Sequence, residues 1–328
     1  MGSHLNPQTI LGPLGWVGTA GMTLNVVWLL TNPRIRALAR LTVLEGIRRM
    51  EFQAILLLAL VLMGGMGYIA FLQHVQDMPL WGMVINKINA GSSLSPGVTS
   101  DAQAEFVRNF DRYLQSGMLF FAEAFTVGLT FALGAFAVKQ DTEQGFLLTL
   151  LPKPMTRGEY LWGRGLGIFG SVAAAWLLMT IEVFLIFAVK HPEAFGNTGR
   201  PEWMILFAGG VLLMKWASLI AILFLSTQQM PPVTGTIVSF FIYVSGHFAV
   251  ILHDMGTDLS LNRVARLFAW LGYILAPHYD RAWSGNILDP TANQLTSKSD
   301  VAGFLGWAWL YLWICGVWAW GFFRKRDL

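Results

Sequence analysis

An all-α polytopic membrane protein is what this sequence predicts, on three observations. Of its 328 residues 55% are hydrophobic and 12% charged, whereas soluble domains carry about 25% charge. The apolar residues gather into runs of about 20, the length that crosses a hydrocarbon core of about 30 Å as a helix. The basic residues between those runs are shared unevenly between the two sides. Length alone allows two soluble domains, but the apolar runs fuse the chain into one membrane domain. A net charge of +3 is too small to point to nucleic acid. The single cysteine, Cys315, sits inside an apolar run, so no intrachain disulfide forms and the redox compartment is not legible. Met1-Gly2-Ser3-His4 is readable as a cloning scar and lacks the features of a signal peptide.

Residues 1–31 are an N-terminal hydrophobic segment. Its run 10–30 is long enough to span, yet Gly12, Pro13, Gly15, Gly18 and Gly21 equally allow an interfacial position, and spanning is weakly favoured. Residues 32–51 read as an interfacial helix, in which Arg34, Arg36, Arg40, Arg48 and Arg49 interleave with Ile35, Leu38, Leu41, Leu44 and Ile47. Its apolar face is poorly focused, so charge and adjacency to the next span carry that reading. The transmembrane domain follows at 52–328. Residues 52–73 are a clear span, and 74–116 a large outer segment with a turn-rich middle at 91–96 and a surface helix at 101–114. The chain crosses back at 117–138.

Residues 139–164, KQDTEQGFLLTLLPKPMTRGEYLWGR, form a polar loop between two spans. Asp141 and Thr142 are good helix starters. Pro152 ends that short helix, because the residue before a proline is pushed out of the α region. Pro154 extends the break, and Thr156-Arg157-Gly158-Glu159 has the Thr-x-x-Glu spacing of a capping box that starts the next helix. The result is a rigid elbow flanked by Lys139, Lys153, Arg157 and Arg164, suited to docking in another protein's groove. Spans follow at 165–189 and 203–225, joined by a short loop at 191–202. Pro231-Pro232 marks a tight, uncharged turn into a fifth span at 233–252, interrupted by Gly235 and Gly246. The second outer segment, 253–300, holds an apolar helix at 264–275 that rests on the membrane. The last span, 301–323, carries Trp307, Trp309, Trp313, Trp318 and Trp320 as lipid-facing and interfacial anchors.

The run Glu143-Gln144-Gly145, the Leu-Leu-Pro-Lys-Pro at 150–154, Arg157 and Tyr160-Leu161-Trp162-Gly163-Arg164 resemble the cytoplasmic loop of ABC-2 type transporter permeases. Phe146 stands where that family usually has Thr, and Pro152 where Ser is common. The basic stretch ahead of Phe52 and the end Phe323-Arg324-Lys325-Arg326-Asp327-Leu328 resemble the same family, so the likeness covers most of the chain from Arg34 onward. It implies a bundle of six core helices, with a seventh if residues 10–30 span, and a pair of permeases, as homodimer or heterodimer, served by separate cytosolic ATPases. Glu143, Gly145, Phe146, Leu147, Leu148, Leu151, Lys153 and Arg157 would then couple to the ATPase, and export is the commoner direction. The chain contains no Gly-x-x-x-x-Gly-Lys-[Ser/Thr] loop, so ATP and Mg²⁺ are expected on the partner, not here. No metal site and no enzyme activity are expected of this chain.

Orientation follows from the basic residues. Twelve of the 22 fall in the short segments 34–49, 139–164 and 324–326, which places these segments and the C-terminus in the cytoplasm of a plasma membrane, with the bacterial inner membrane the expected one. Glu123, Glu182 and Lys215 are charges inside spans, which are functional by default. A Glu182–Lys215 pair or a water-facing position ranks first, a substrate path second and a proton relay third, while Glu123 is expected to snorkel outward. His247 stands alone on its span. His253-Asp254 and His278-Tyr279-Asp280 lack zinc-site spacing. Gly165, Gly167 and Gly170 have Gly-x-Gly-x-x-Gly spacing without a preceding strand, so close helix packing is the reading, not dinucleotide binding. The alternative to a transporter is a membrane scaffold that recruits an external partner through its large outer segments.

Overall fold

The computed structural model describes residues 31–72, 96–135, 137, 156–190, 201–258, 262–279 and 298–325. Among them all regular structure is helical: α1 (Pro33–Arg48), α2 (Met50–Leu72), α3 (Pro96–Gly134), α4 (Arg157–Lys190), α5 (Pro201–Gln229), α6 (Pro232–His247), α7 (Ala249–Thr257), α8 (Arg263–Leu275) and α9 (Lys298–Lys325). Within the described residues α2, α3, α4, α5 and α9 contain stretches long and apolar enough to cross a membrane, and the bent pair α6–α7 makes a sixth. This is a multi-pass membrane fold, and its spans fall on the six predicted apolar runs. The run 10–30 lies outside the described residues.

α5 is the central post. Its apolar stretch is 72% buried within the protein, against 22% for α2 at the rim, and it contacts α3, α4, α6 and α9. The Trp176 indole Nε1 donates to the Gly209 carbonyl at 2.8 Å, and its ring meets Trp216 edge-on at 5.4 Å, tying α4 to α5. Gly209 permits this, because a Cβ there would enter the Thr180 side chain. Thr126, Thr130, Thr180, Ser226 and Ser239 return their hydroxyl protons to carbonyls on their own helices, so they are buried at little cost.

One boundary differs from expectation, and two other readings are sharpened. The surface helix 101–114 and the start of the span after it are one continuous helix, α3, of 39 residues ending at Gly134. Gly117 interrupts the pattern, but one glycine costs only about 1 kcal/mol in a helix and no proline assists it. The fifth span breaks at Phe248, where α6 and α7 meet at 65°. Gly246, beside the break, lies close against Pro277 and Tyr279. α1 is better focused than its composition suggests: Ile35, Leu38, Thr42 and Gly46 are buried along one stripe, while Leu41, Leu44 and Ile47 are 40–49% exposed on the other side. Two apolar faces, one buried against the protein and one exposed, dilute each other in any averaged pattern.

Candidate functional site

Charged side chains converge at two depths. The first place is the elbow end of the bundle, where α4 begins. The Thr156 N–H donates to Glu159 Oε2 at 2.7 Å and the Glu159 N–H donates to Thr156 Oγ1 at 3.2 Å, forming the expected capping box. Asn32 caps α1 by accepting from the Arg34 N–H at 3.0 Å, and its Nδ2 donates to Glu159 Oε1 at 3.2 Å. Arg34 adds a longer ion pair to Glu159 at 3.8 Å. The starts of α1 and α4 are thus joined through Asn32 and Glu159.

Two turns further along, Arg164 Nη1 donates to Glu45 Oε2 at 2.5 Å and to Thr42 Oγ1 at 3.2 Å. Arg49 donates to Glu45 Oε1 at 2.9 Å from the next turn of α1. Partial burial alone would raise the Glu45 carboxyl, but the hydrogen bonds and charges of Arg164 and Arg49 prevail and hold it below its ordinary range. The glycines of α4 let the two helices come this close. A Cβ at Gly163 would stand 2.9 Å from Leu38, one at Gly170 3.0 Å from Val43, and one at Gly167 2.8 Å from the Ala39 carbonyl, with Thr42 nearer still. Gly165 turns the other way, toward Phe224 of α5. Helix packing is therefore the role of Gly165, Gly167 and Gly170.

Of the residues proposed to couple to an ATPase, Arg157 is half-buried in the first turn of α4. It borders a cleft of about 800 Å³ together with Asn32, Thr156, Glu159, Trp162 and Trp320. Glu143, Gly145, Phe146, Leu147, Leu148, Leu151 and Lys153 lie outside the described residues. On α1, Arg34, Arg36, Arg40 and Arg48 are exposed and Arg49 half-buried.

The second place is near mid-depth. Lys215 is fully buried on α5 and forms an ion pair with the buried Glu123 of α3. Its Nζ also lies 2.9 Å from His247 Nε2 on α6, and Tyr243 OH donates to Glu123 Oε1 at 3.3 Å. The rings of Trp216, Tyr243 and Tyr279 stand 5.3–5.7 Å from the ammonium, in cation–π range. Ser218 and Tyr279 share a hydrogen bond of 2.8 Å on the same side. Tyr279 reaches inward because His278 before it adopts a positive φ of 46°, a turn that histidine tolerates better than most residues.

This corrects two expectations. Glu123 does not snorkel: one turn of α5 and one of α6 enclose it, and a cation meets it there. Glu182 does not pair with Lys215. It is half-buried, its Oε2 has no hydrogen-bond partner among the described residues, and Oε1 faces Gly64 of α2. His247 is not alone either, and sequence reasoning missed its role together with those of Tyr243, Ser218 and Tyr279. One signal could have found it. Lys215 and His247 are 32 residues apart and centred on Pro231, so a tight antiparallel hairpin must bring them to equal depth.

No family model matches the chain, and no curated protein matches it.

Among the described residues no three His, Cys, Asp or Glu side chains converge on one point. His253 contacts the neighbouring Asp254 on the surface at 3.4 Å, while His278 is enclosed between Tyr273 and Trp307. The described residues thus hold two charged places, a stiff joint at the elbow end and a desolvated charge cluster near mid-depth.

Proposed function

We propose that this chain is the transmembrane permease subunit of an ATP-driven ABC transporter, dimerising with a second copy or a paralogue and coupled to separate cytosolic ATPase subunits through residues 139–164. The observation that supports this reading is the joint at the exit of that loop. α4 starts at Arg157 and runs unbroken to Lys190, a rod of about 50 Å at 1.5 Å per residue. Its first turn is capped, bridged to α1 by Asn32 and backed by glycine contacts along α1. A displacement applied at the loop would move α1 and α4 together instead of being absorbed by bending. A scaffold with no moving parts has no need of such a joint.

In this reading the elbow lies in the cytoplasm, the ATPase carries the ATP and Mg²⁺, and the direction is export. Replacing Leu147, Leu148 and Leu151 with Asp should abolish co-purification with the ATPase while leaving the thermal unfolding of the purified subunit unchanged. Retained co-purification would overturn the docking role. Orientation is tested separately. A cysteine at Gly145 should resist an impermeant thiol reagent in intact cells and one at Ser95 should label; the reverse pattern puts the elbow outside.

A further inference from the structure

α4 and α9 part over the face of α5 and leave a cavity of about 150 Å³, a size at which an apolar space stays dry and admits a benzene-sized body. Its floor is α5, where Ala217 and Ala221 stand one turn apart and leave a shallow groove flanked by Met214 and Phe224. Its walls are half-buried side chains, Leu166 and Phe169 on α4 and Trp309 and Leu312 on α9. No charged or hydroxyl-bearing side chain lines it, so an occupant brings no polar group into this part without losing its hydrogen bonds. Trp162 and Trp313 also line the cavity, with rings 5.8 Å apart and tilted by 50°. Trp162 is set so closely on Gly316 that a Cβ there would stand 2.8 Å from its ring. The same two tryptophans border the cleft of about 800 Å³ at the elbow end, together with Asn32, Thr156, Arg157 and Glu159. The apolar cavity and the polar-rimmed cleft therefore meet at these two rings. Glu159 is already engaged by the Thr156 N–H, Asn32 and Arg34, and Arg157 brings a second cation, so positive charge exceeds negative among the described residues around the cleft.

We propose that these two adjoining spaces bind one anionic phospholipid, with an acyl chain in the cavity among α4, α5 and α9 and the phosphate in the cleft beside Arg157. A wholly apolar molecule would use the cavity and leave the cleft unused, and a wholly polar one would do the reverse. An amphiphile uses both. Its junction falls at Trp162, Trp313 and Trp320, and indoles suit that place because each has an apolar body and one polar edge. The excess positive charge selects the sign of the head: a phosphate oxygen pair matches the fork of a guanidinium, whereas a choline would cancel the phosphate and face Arg157 and Arg34 with a cation of its own. A lipid seated this way touches α4, α5 and α9 at once, so it stabilises the fold in proportion to its occupancy. The site needs no ATPase and stands whether or not the chain transports anything.

The test uses the full-length protein, delipidated in detergent, titrated with phosphatidylglycerol and read by native mass spectrometry and by thermal unfolding. A single lipid per chain should persist after the others are stripped, and it should raise the unfolding temperature. Ala221→Phe, which fills the floor of the cavity, should lower that occupancy about tenfold and abolish the thermal shift. Val61→Phe, at a position of α2 that is 63% exposed, should change neither, which separates this site from lipid held anywhere on the surface. Phosphatidylcholine with the same chains should be retained less than phosphatidylglycerol, and Arg157→Gln should erase the difference. Full retention in Ala221→Phe, or no retained lipid on the unsubstituted protein, overturns the proposal, and equal retention of the two headgroups overturns the place given to the phosphate. Should Ala221→Phe fail to fold, Ala217→Leu puts the same question with less added volume.

Discussion

Glu45 and Glu123 each meet a buried cation, yet one pair sits beside water and the other does not. Glu45 keeps 42% of its side chain exposed and shares Arg164 and Arg49. Glu123 keeps 4% and faces a lysine with no exposure at all. At the elbow end, water can take over a lost partner, and the pair contributes register and stiffness more than net stability. At mid-depth both groups are enclosed, so removing either leaves the other as a buried charge without its counter-ion. The same chemistry is thus adjustable in one place and all-or-none in the other.

The largest effect that would sharpen this contrast is Lys215→Met. It strands the Glu123 carboxylate and should cost about 3–5 kcal/mol in thermal unfolding of the detergent-solubilised protein. Adding Glu123→Gln should restore most of that loss, and a double variant as unstable as the single one would break the pairing argument. Next is Gly167→Leu, which forces α1 away from α4. It should cost about 1–3 kcal/mol by overpacking and make the bond after Arg48 accessible to trypsin. Unchanged digestion would mean that α1 is not seated on α4.

Arg164→Gln should cost less, about 1–2 kcal/mol, because Arg49 and water remain to serve Glu45. Its signature is in the acid range. Glu45 is held below its ordinary value of 4.5, so the stability it adds is present above about that pH and disappears as pH falls through the lowered value. Arg164→Gln should flatten that acid limb of the stability profile, and an unaltered limb would assign it to another carboxylate. Thr156→Ala, which removes the α4 cap, should cost about 1 kcal/mol of stability. The smallest effect is Arg34→Ala. The exposed pair with Glu159 at 3.8 Å should be undetectable in high salt.

Much of the fold was legible because membrane spans announce themselves by length and apolarity, and the capping box at Thr156 was legible because its chemistry is local. The glycines at 165, 167 and 170 announced close packing but not the partner, since nothing in a run of small residues names the helix that approaches. The wrong partner for Lys215 has the same origin. Glu123 and Glu182 are equivalent as isolated charges on spans, and only the three-dimensional order of α3, α4 and α5 separates them. His247 was recoverable, because a tight turn at Pro231 fixes the depth of everything on the hairpin, but that symmetry appears only when two helices are counted from one turn. The break at Phe248 falls two residues after Gly246, one of the two glycines that the sequence marks as breaking this span, while nothing in the sequence indicates that Pro277 and Tyr279 lie against that glycine.

The 39 residues of α3 reach about 58 Å as a helix, nearly twice the thickness of a bilayer's oily interior. Glu123 lies in the stretch apolar enough to cross, Leu114–Gly134, so one unbroken rod links that buried charge to a helix end well beyond the apolar stretch.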